Sequence, residues 1–200
     1  MPESSKKRVL TPVLFYGYDR PVRSSVPRSV DDPLVSGVQE RWAERGLPGT
    51  PWPFMAMCSV ARLHHLLTKA LEAELERLDL GRTGYFLLTM LALTAEGRAR
   101  LGTLSRLMMI HPTTVKLAVD QLEAAGLVSR RPHPTDRRAT LVFITETGRE
   151  RAAAANRALE SPDGALGAFA GRHREIFEAL QPARLAAGDA EMVQDDMNRT

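Results

Sequence analysis

The stretch that decides the fold is residues 101–150, LGTLSRLMMIHPTTVKLAVDQLEAAGLVSRRPHPTDRRATLVFITETGRE. Two short helices are predicted at its start, one from about Thr103 and one over 112–125, with the break IHP between them. The second helix has apolar residues at spacings of four and three, which line up on one face: Val115, Val119 and Leu122. Two short helices separated by a tight turn form a helix-turn-helix.

The hydrophobic period changes after Gly126, which can end the second helix. The segments LVSRRP (127–132) and ATLVFIT (139–145) have the composition of short strands, and HPTDRR (133–138) between them is rich in turn formers. We therefore expect a β-hairpin with a basic tip, a wing, directly after the helix-turn-helix.

Further helices are predicted on both sides of this motif. A helix over about 53–80 carries a leucine stripe, and a helix over about 83–95 is apolar almost all round and should be buried. Thr147 and Glu150 stand at capping-box spacing, which predicts a helix start. That helix and two more are expected over about 147–159, 165–180 and 182–197. The predicted fold class is mainly α with a small β wing.

The distribution of charge along the chain indicates which class of protein to expect. The net charge is +3, but residues 98–151 alone carry +5, and the stretches 31–97 and 152–200 each carry −3. A locally basic segment of this kind suits a chain that neutralises DNA phosphates. The sequence contains none of the common catalytic motifs, so we expect no enzyme.

Cysteine use and hydropathy predict the compartment. The single cysteine, Cys58, excludes an internal disulfide framework and fits a reducing cytosol. No secretory signal is visible, and the apolar run over 85–95 is far shorter than the ~20 residues of a membrane span. We expect a cytoplasmic protein with no membrane contact and no cofactor.

The second helix of the motif begins with residues that suit DNA. One α-helix fits the major groove and reads base edges with its first turns. Thr113 and Thr114 offer hydroxyls and methyls to the bases, and Lys116 can reach phosphate or guanine. This helix is therefore the predicted recognition helix.

The wing tip supplies the second predicted contact. Arg137 and Arg138 suit a narrow minor groove, which attracts guanidinium groups, and Asp136 would hold a neighbouring arginine in place. The complete predicted DNA-binding set is Thr113, Thr114, Lys116, Arg130, His133, Asp136, Arg137 and Arg138.

Residues 101–150 resemble the MarR family of winged-helix regulators. The family pattern is a leucine-led helix, a Thr-Val start of the recognition helix, LE..GLV.R, a D-R-R wing tip and a final T..G. The sequence matches that pattern in order at Leu104, Thr114, Val115, Leu122, Glu123, Gly126, Leu127, Val128, Arg130, Asp136, Arg137, Arg138, Thr145 and Gly148.

The resemblance implies a homodimer whose N- and C-terminal helices interleave, with each winged domain reading half of a palindrome in duplex DNA. It also implies a small-molecule effector between those helices and the DNA-binding lobe. The domains expected are a flexible basic arm (1–30), an extra N-terminal helix and linker (31–50), dimerisation and core helices (51–97), the winged helix-turn-helix (98–148) and C-terminal dimerisation helices (149–200).

Two residues depart from the family pattern in the turn. Met109 stands where glycine is frequent, which predicts backbone strain if that residue has positive φ. His111 stands where a serine or threonine cap is usual.

Candidate effector-binding residues follow from their chemistry. Polar and aromatic contacts to an anionic or aromatic ligand could come from Trp42, Cys58, Arg62, His65 and Tyr85. His64 and His65 are adjacent, so their side chains diverge by about 100° on a helix and cannot comfortably share one metal ion. We predict no metal site.

The leading prediction is a ligand-responsive repressor. One alternative is a winged-helix module that binds protein, although the charge of +5 over 98–151 argues for DNA. The other is a regulator that senses oxidants through Cys58, which would require a lowered thiol pKa.

Overall fold

The computed structural model describes residues 37–136 and 139–189. The predicted basic arm, the helix start expected around Asp31 and the wing-tip residues Arg137 and Arg138 lie outside these ranges. The chain divides into two units, residues 1–55 and 56–200.

The first unit contains one helix, α1 (Val38–Glu44), and the start of the next, within the residues described there. Gly37 precedes α1 with φ 70°, and Gly46 follows it with φ 63°, as expected of a glycine that ends a helix. The Trp42 ring lies 6.2 Å from the Phe54 ring, centroid to centroid. This aromatic pair connects α1 to the first turn of the following helix.

The remaining helices follow in chain order. They are α2 (Trp52–Glu76), α3 (Arg82–Leu93), α4 (Leu101–Leu107), α5 (Pro112–Ala124), α6 (Glu146–Glu160) and α7 (His173–Ala186). The predicted recognition helix is α5, and its bounds agree with the sequence prediction to within one residue.

Within the described residues, three strands form one antiparallel sheet. They are β1 (Arg98–Arg100), β2 (Val128–Pro132) and β3 (Thr140–Ile144), in the order β1-β3-β2. Val142 of the central strand pairs with Ala99 on one side and Arg130 on the other. The β2–β3 hairpin confirms the predicted wing, whereas β1 was not predicted, because three residues are too short to show a strand period.

The core lies between α3, α5, α6 and the inner face of the sheet. Its fully buried large side chains are Leu75, Leu87, Leu88, Leu91, Leu104, Val115, Val119 and Val142. The predicted inward face of α5 is confirmed, since Val115 and Val119 are completely buried and Leu122 is nearly so. Burial of α3 is partial, however, because Phe86 and Leu93 are 39% and 81% exposed.

The predicted start of α6 was wrong by two residues. Thr145, not Thr147, caps this helix, and its Oγ1 accepts the N–H of Gly148 at 3.0 Å. The same hydroxyl donates to the carbonyl of Gly126 at 2.8 Å. Thr145 therefore joins the end of the hairpin to the turn that follows α5, a contact that local spacing cannot reveal.

The predicted break between two C-terminal helices, near residue 181, was also wrong, and residues 190–197 of the second predicted helix lie outside the described ranges. Within the described residues, α7 continues through Pro182, although proline removes one helical hydrogen bond. The chain breaks earlier instead, at a short 3-10 turn over Gly167–Phe169 and at Gly171, whose φ is 76°. Gly171 adopts positive φ at little cost because glycine has no Cβ.

Candidate DNA-binding surface

The turn between α4 and α5 accommodates both departures from the family pattern. Met109 has φ 49°, so the predicted strain is present at a residue whose side chain is 71% exposed. Ser105 closes the turn, as its hydroxyl donates to the carbonyl of Ile110 at 2.7 Å. His111 acts as the N-cap of α5, because its Nδ1 accepts the N–H of Thr113 at 3.3 Å.

The first turns of α5 present polar side chains to solvent. Thr113, Thr114 and Lys116 are exposed, as a helix that enters the major groove requires. Leu117 is 59% exposed and lies one helical turn after Thr113 on the same outward face. The sequence prediction missed Leu117, although its position opposite Val115 and Val119 was a signal. An exposed leucine there can contact a thymine methyl.

Arg130 joins the wing to α5. Its Nε donates to Glu123 at 2.8 Å, its Nη1 donates to Asp120, and its backbone N–H donates to Glu123 at 2.9 Å. Both carboxylates stand on α5, whereas Arg130 stands on β2. The guanidinium of Arg130 thus already binds two carboxylates. Its predicted role as a DNA contact stays a prediction.

This cluster changes the acidity of its members. Hydrogen bonds from Arg130 lower the pKa of Glu123 below its ordinary value, and the positive charge of the guanidinium lowers it further. The Glu123 side chain is 36% exposed, so solvent screens the pair. The cluster therefore orients β2 against α5 more than it stabilises the whole fold.

His133 organises the base of the wing tip. Its Nδ1 accepts the backbone N–H groups of Thr135 and Asp136 at 3.3 and 3.2 Å. Its Nε2 lies 3.1 Å from Nη2 of Arg100 on β1. The carbonyl of the half-buried Asp136 also accepts the N–H of Ala139 at 3.0 Å. His133 is thus in direct contact with the backbone that presents the tip.

The predicted effector-binding residues lie on several elements. Trp42 belongs to the first unit, and its Nε1 is buried without a partner among the described residues. On α2, Cys58 is half-buried, whereas Arg62 and His65 are exposed. Tyr85 on α3 donates to Asn156 at 2.8 Å, and burial raises its pKa.

A cavity of about 990 Å³ lies instead beside α5. It is bounded by the last turns of α2, the start of α3 and the flank of α5 that carries Thr114 and Gln121. Lys69 and Arg82 are among its lining residues, with Glu72 and Glu76. None of the five predicted effector residues lines this cavity, because helix spacing alone does not show where neighbouring helices diverge.

Over 37–136 and 139–189, no group of three or more His, Cys, Asp or Glu side chains could hold a metal ion. None of the helices described has the length and apolarity that a bilayer crossing requires.

Solved structures with this architecture are numerous. Sco5413, a MarR family transcriptional regulator from Streptomyces coelicolor, is 36% identical with a TM-score of 0.61, over 70% of this chain and 98% of its own. AbsC from the same organism is 26% identical with a TM-score of 0.56, over 66% and 93%. Sco3205, another S. coelicolor MarR family regulator, was solved in complex with DNA. It is 23% identical with a TM-score of 0.58, over 70% and 92%.

Sequence comparison leads to the same family. The MarR family model matches residues 83–140, which include nearly all of α3, the helix-turn-helix and most of the wing up to the start of β3. No curated protein matches the sequence. Because Sco5413 is matched over nearly its whole length at 36% identity, this chain belongs to the MarR family of transcriptional regulators, which bind DNA through a winged helix.

Proposed function

We propose that the protein is a homodimeric repressor that binds a palindromic operator and releases it when a small ligand binds. One observation carries the proposal. The exposed start of α5, with Thr113, Thr114 and Lys116, stands beside a wing whose first strand is held to α5 by Arg130. That arrangement suits simultaneous contact with the major groove and an adjacent minor groove. The DNA complex of Sco3205, which shares the fold, supports it.

Exposed apolar side chains support the homodimer. Within the second unit, α2 exposes Met57 and Val60, and α7 exposes Phe177 and Leu185, each by 48% or more. No residue of α7 is buried in a single chain. A helix with apolar side chains gains most of its stability from packing, so we expect a second copy of the chain to cover these residues. A second copy would also provide the second recognition helix that a palindrome requires.

The cavity beside α5 supports regulation by a ligand. The cavity is lined by charged groups of both signs, and α5 forms one wall of it through Thr114 and Gln121. One of these cations, Arg82, forms an ion pair with Glu72 at 3.5 Å. A ligand that fills this space can move α5 relative to α2 and thereby alter the separation of the two recognition helices. The predicted contribution of Trp42, Cys58, Arg62, His65 and Tyr85 to effector binding remains a proposal, as does the cytoplasmic location.

The central experiment is DNA selection with the full chain, followed by fluorescence anisotropy on the selected duplex at several salt concentrations. We expect specific binding, and Arg138→Ala should weaken it several-fold and reduce the slope of log K against log salt by about 1 per subunit. Arg157→Ala, on α6, is the matched control and should retain wild-type binding. Failure of the wild type to prefer any sequence would overturn the proposal and favour a protein-binding module.

Effector release is tested on the same duplex. A panel of small aromatic compounds, both acids and neutral molecules, should include at least one that lowers DNA affinity. Arg82→Gln, which changes the cavity lining, should reduce the effect of that compound while DNA binding without ligand is preserved. Peroxide treatment, with Cys58→Ser as the control, tests the alternative of oxidant sensing. Release by peroxide in the wild type but not in Cys58→Ser would replace the ligand proposal with a thiol mechanism.

A further inference from the structure

The wing sheet has a second face that the winged-helix arrangement described above does not use. Successive residues of a strand point to opposite faces of a sheet. Arg130 points to α5, where it binds Glu123, so Arg131 points to the outer face. In register with Arg131 are Leu141 on β3 and Arg100 on β1, and Arg98 lies two residues farther along β1 on the same face.

An aromatic ring holds two of these arginines in place. Phe143 stands on the central strand, opposite Arg98 in register. The Cζ atom of Arg98, on β1, lies 5.7 Å from the ring centroid. The Cζ atom of Arg131, on β2, lies 4.8 Å from the same centroid. Cation–π contact orients a guanidinium without neutralising it. Both guanidinium groups are therefore oriented by the same ring and keep their positive charge.

The outer face of the sheet includes a buried apolar side chain beneath its arginines. Leu141 is only 7% exposed, although it lies outside the main core cluster. The aliphatic stems of long side chains can cover apolar surface in this way while their charges reach solvent. Arg100 is positioned by His133, 3.1 Å away. We name Arg98, Arg100 and Arg131 the arginine face.

Its charge remains largely uncompensated. Arg98 forms an ion pair with Glu96, and its side chain is still 40% exposed. Within the described part of the chain, neither Arg100 nor Arg131 forms an ion pair with a carboxylate. Guanidinium groups that are fixed and unpaired suit phosphate oxygens, to which they donate two hydrogen bonds at once.

We propose that the arginine face binds the phosphate backbone of the duplex that flanks the operator, outside the base pairs under α5 and the wing tip. Because the face is directed away from α5, any DNA that contacts it would lie outside the base pairs that α5 reads. Such contacts carry charge but no base readout, and they extend the footprint. This inference rests on the proposed DNA-binding function.

The test compares two duplexes, the selected operator alone and the same operator with about one helical turn, roughly 10 bp, of arbitrary sequence on each side. Wild type should bind the longer duplex more tightly and with a steeper salt dependence. The double variant Arg98→Gln/Arg131→Gln should lose that advantage, with the salt slope on the long duplex reduced by about 2 per subunit. On the short duplex it should equal wild type.

Three controls make the result decisive. Arg157→Gln removes one exposed charge of α6 and should behave as wild type on both duplexes. Arg98→Lys/Arg131→Lys keeps the charge and should retain most of the salt slope. Thermal melting checks that each variant is folded, and if the double variant melts early, the single Arg131→Gln variant, whose side chain is exposed, is measured in its place.

The outcomes separate the two proposals. Equal binding of wild type and the glutamine variant to the long duplex would overturn the arginine face. An equal loss on both duplexes would also overturn it, because the residues would then belong to the operator contact itself. If wild type binds neither duplex, the proposed function fails instead.

Discussion

Arg130 on β2 donates through Nε to Oε2 of Glu123 on α5 at 2.8 Å, and this contact ties the wing to the recognition helix. The backbone N–H of Arg130 donates to the other oxygen of the same carboxylate at 2.9 Å. Glu123 therefore holds both the side chain and the main chain of the strand that leads into the wing.

The first prediction separates a positioning role of Arg130 from direct contact with DNA. Glu123→Gln removes a negative charge near DNA, so simple electrostatics predicts tighter binding. We expect weaker binding instead, by about tenfold or 1.4 kcal/mol, because the wing loses its orientation. Anisotropy on the selected operator measures it, with Glu150→Gln on α6 as the control. Tighter binding by Glu123→Gln would contradict the positioning role of the Arg130–Glu123 contact.

The second prediction concerns pH. Arg130 lowers the pKa of Glu123 in the folded protein. A carboxyl with a lowered folded pKa adds stability above its unfolded pKa and loses it as the pH falls through the folded pKa. From about pH 5 downward, wild type should therefore lose stability more steeply than Glu123→Gln. Urea unfolding at a series of pH values measures the slopes, and identical slopes would contradict the prediction.

The third prediction concerns the strained turn. Met109 has φ 49°, which costs a residue with a Cβ about 1–2 kcal/mol. Met109→Gly relieves this strain but adds freedom to the unfolded chain, so we expect a net gain of up to about 1 kcal/mol. Met109→Ala keeps the Cβ and should give no gain. A lower melting temperature for the glycine variant than for the alanine variant would refute the explanation.

The fourth prediction explains the glycine in the T..G part of the motif. A Cβ on Gly148 would meet the carbonyl oxygen of Leu127 well inside contact distance and would lie 2.9 Å from Cγ1 of Ile144. Because the nearest atom is backbone, the clash cannot be relieved by a side-chain rotation. Gly148→Ala should destabilise the fold by about 3 kcal/mol.

Gly102 provides the matched control for that substitution. It lies in α4, and its added Cβ would meet nothing closer than Nη1 of Arg106 at 3.7 Å. Gly102→Ala should therefore be neutral or stabilise by roughly 0.5–1 kcal/mol, since alanine is the better helix former. Chemical denaturation of both variants checks the pair, and similar effects at Gly102 and Gly148 would exclude the packing argument.

The amino-acid sequence by itself determined the elements around the helix-turn-helix. Val115 and Val119 stand on one side of α5 because 3.6 residues make a turn, and Thr113 consequently faces solvent. The hairpin followed from a change of period and from turn formers between two β-rich runs. Even the strain at Met109 was predictable, since the turn requires positive φ at that residue. These features depend on interactions within a few residues.

Tertiary structure alone decided which distant side chains meet. Arg98 and Arg131 share the ring of Phe143 because β3 pairs between β1 and β2, and the short β1 left no signal in the sequence. Pairing of Arg130 with Glu123 likewise depends on how the wing folds back on α5. The physical reason is the range of the forces. Periodicity reports local backbone geometry, whereas these contacts follow from packing of segments that are far apart in the chain.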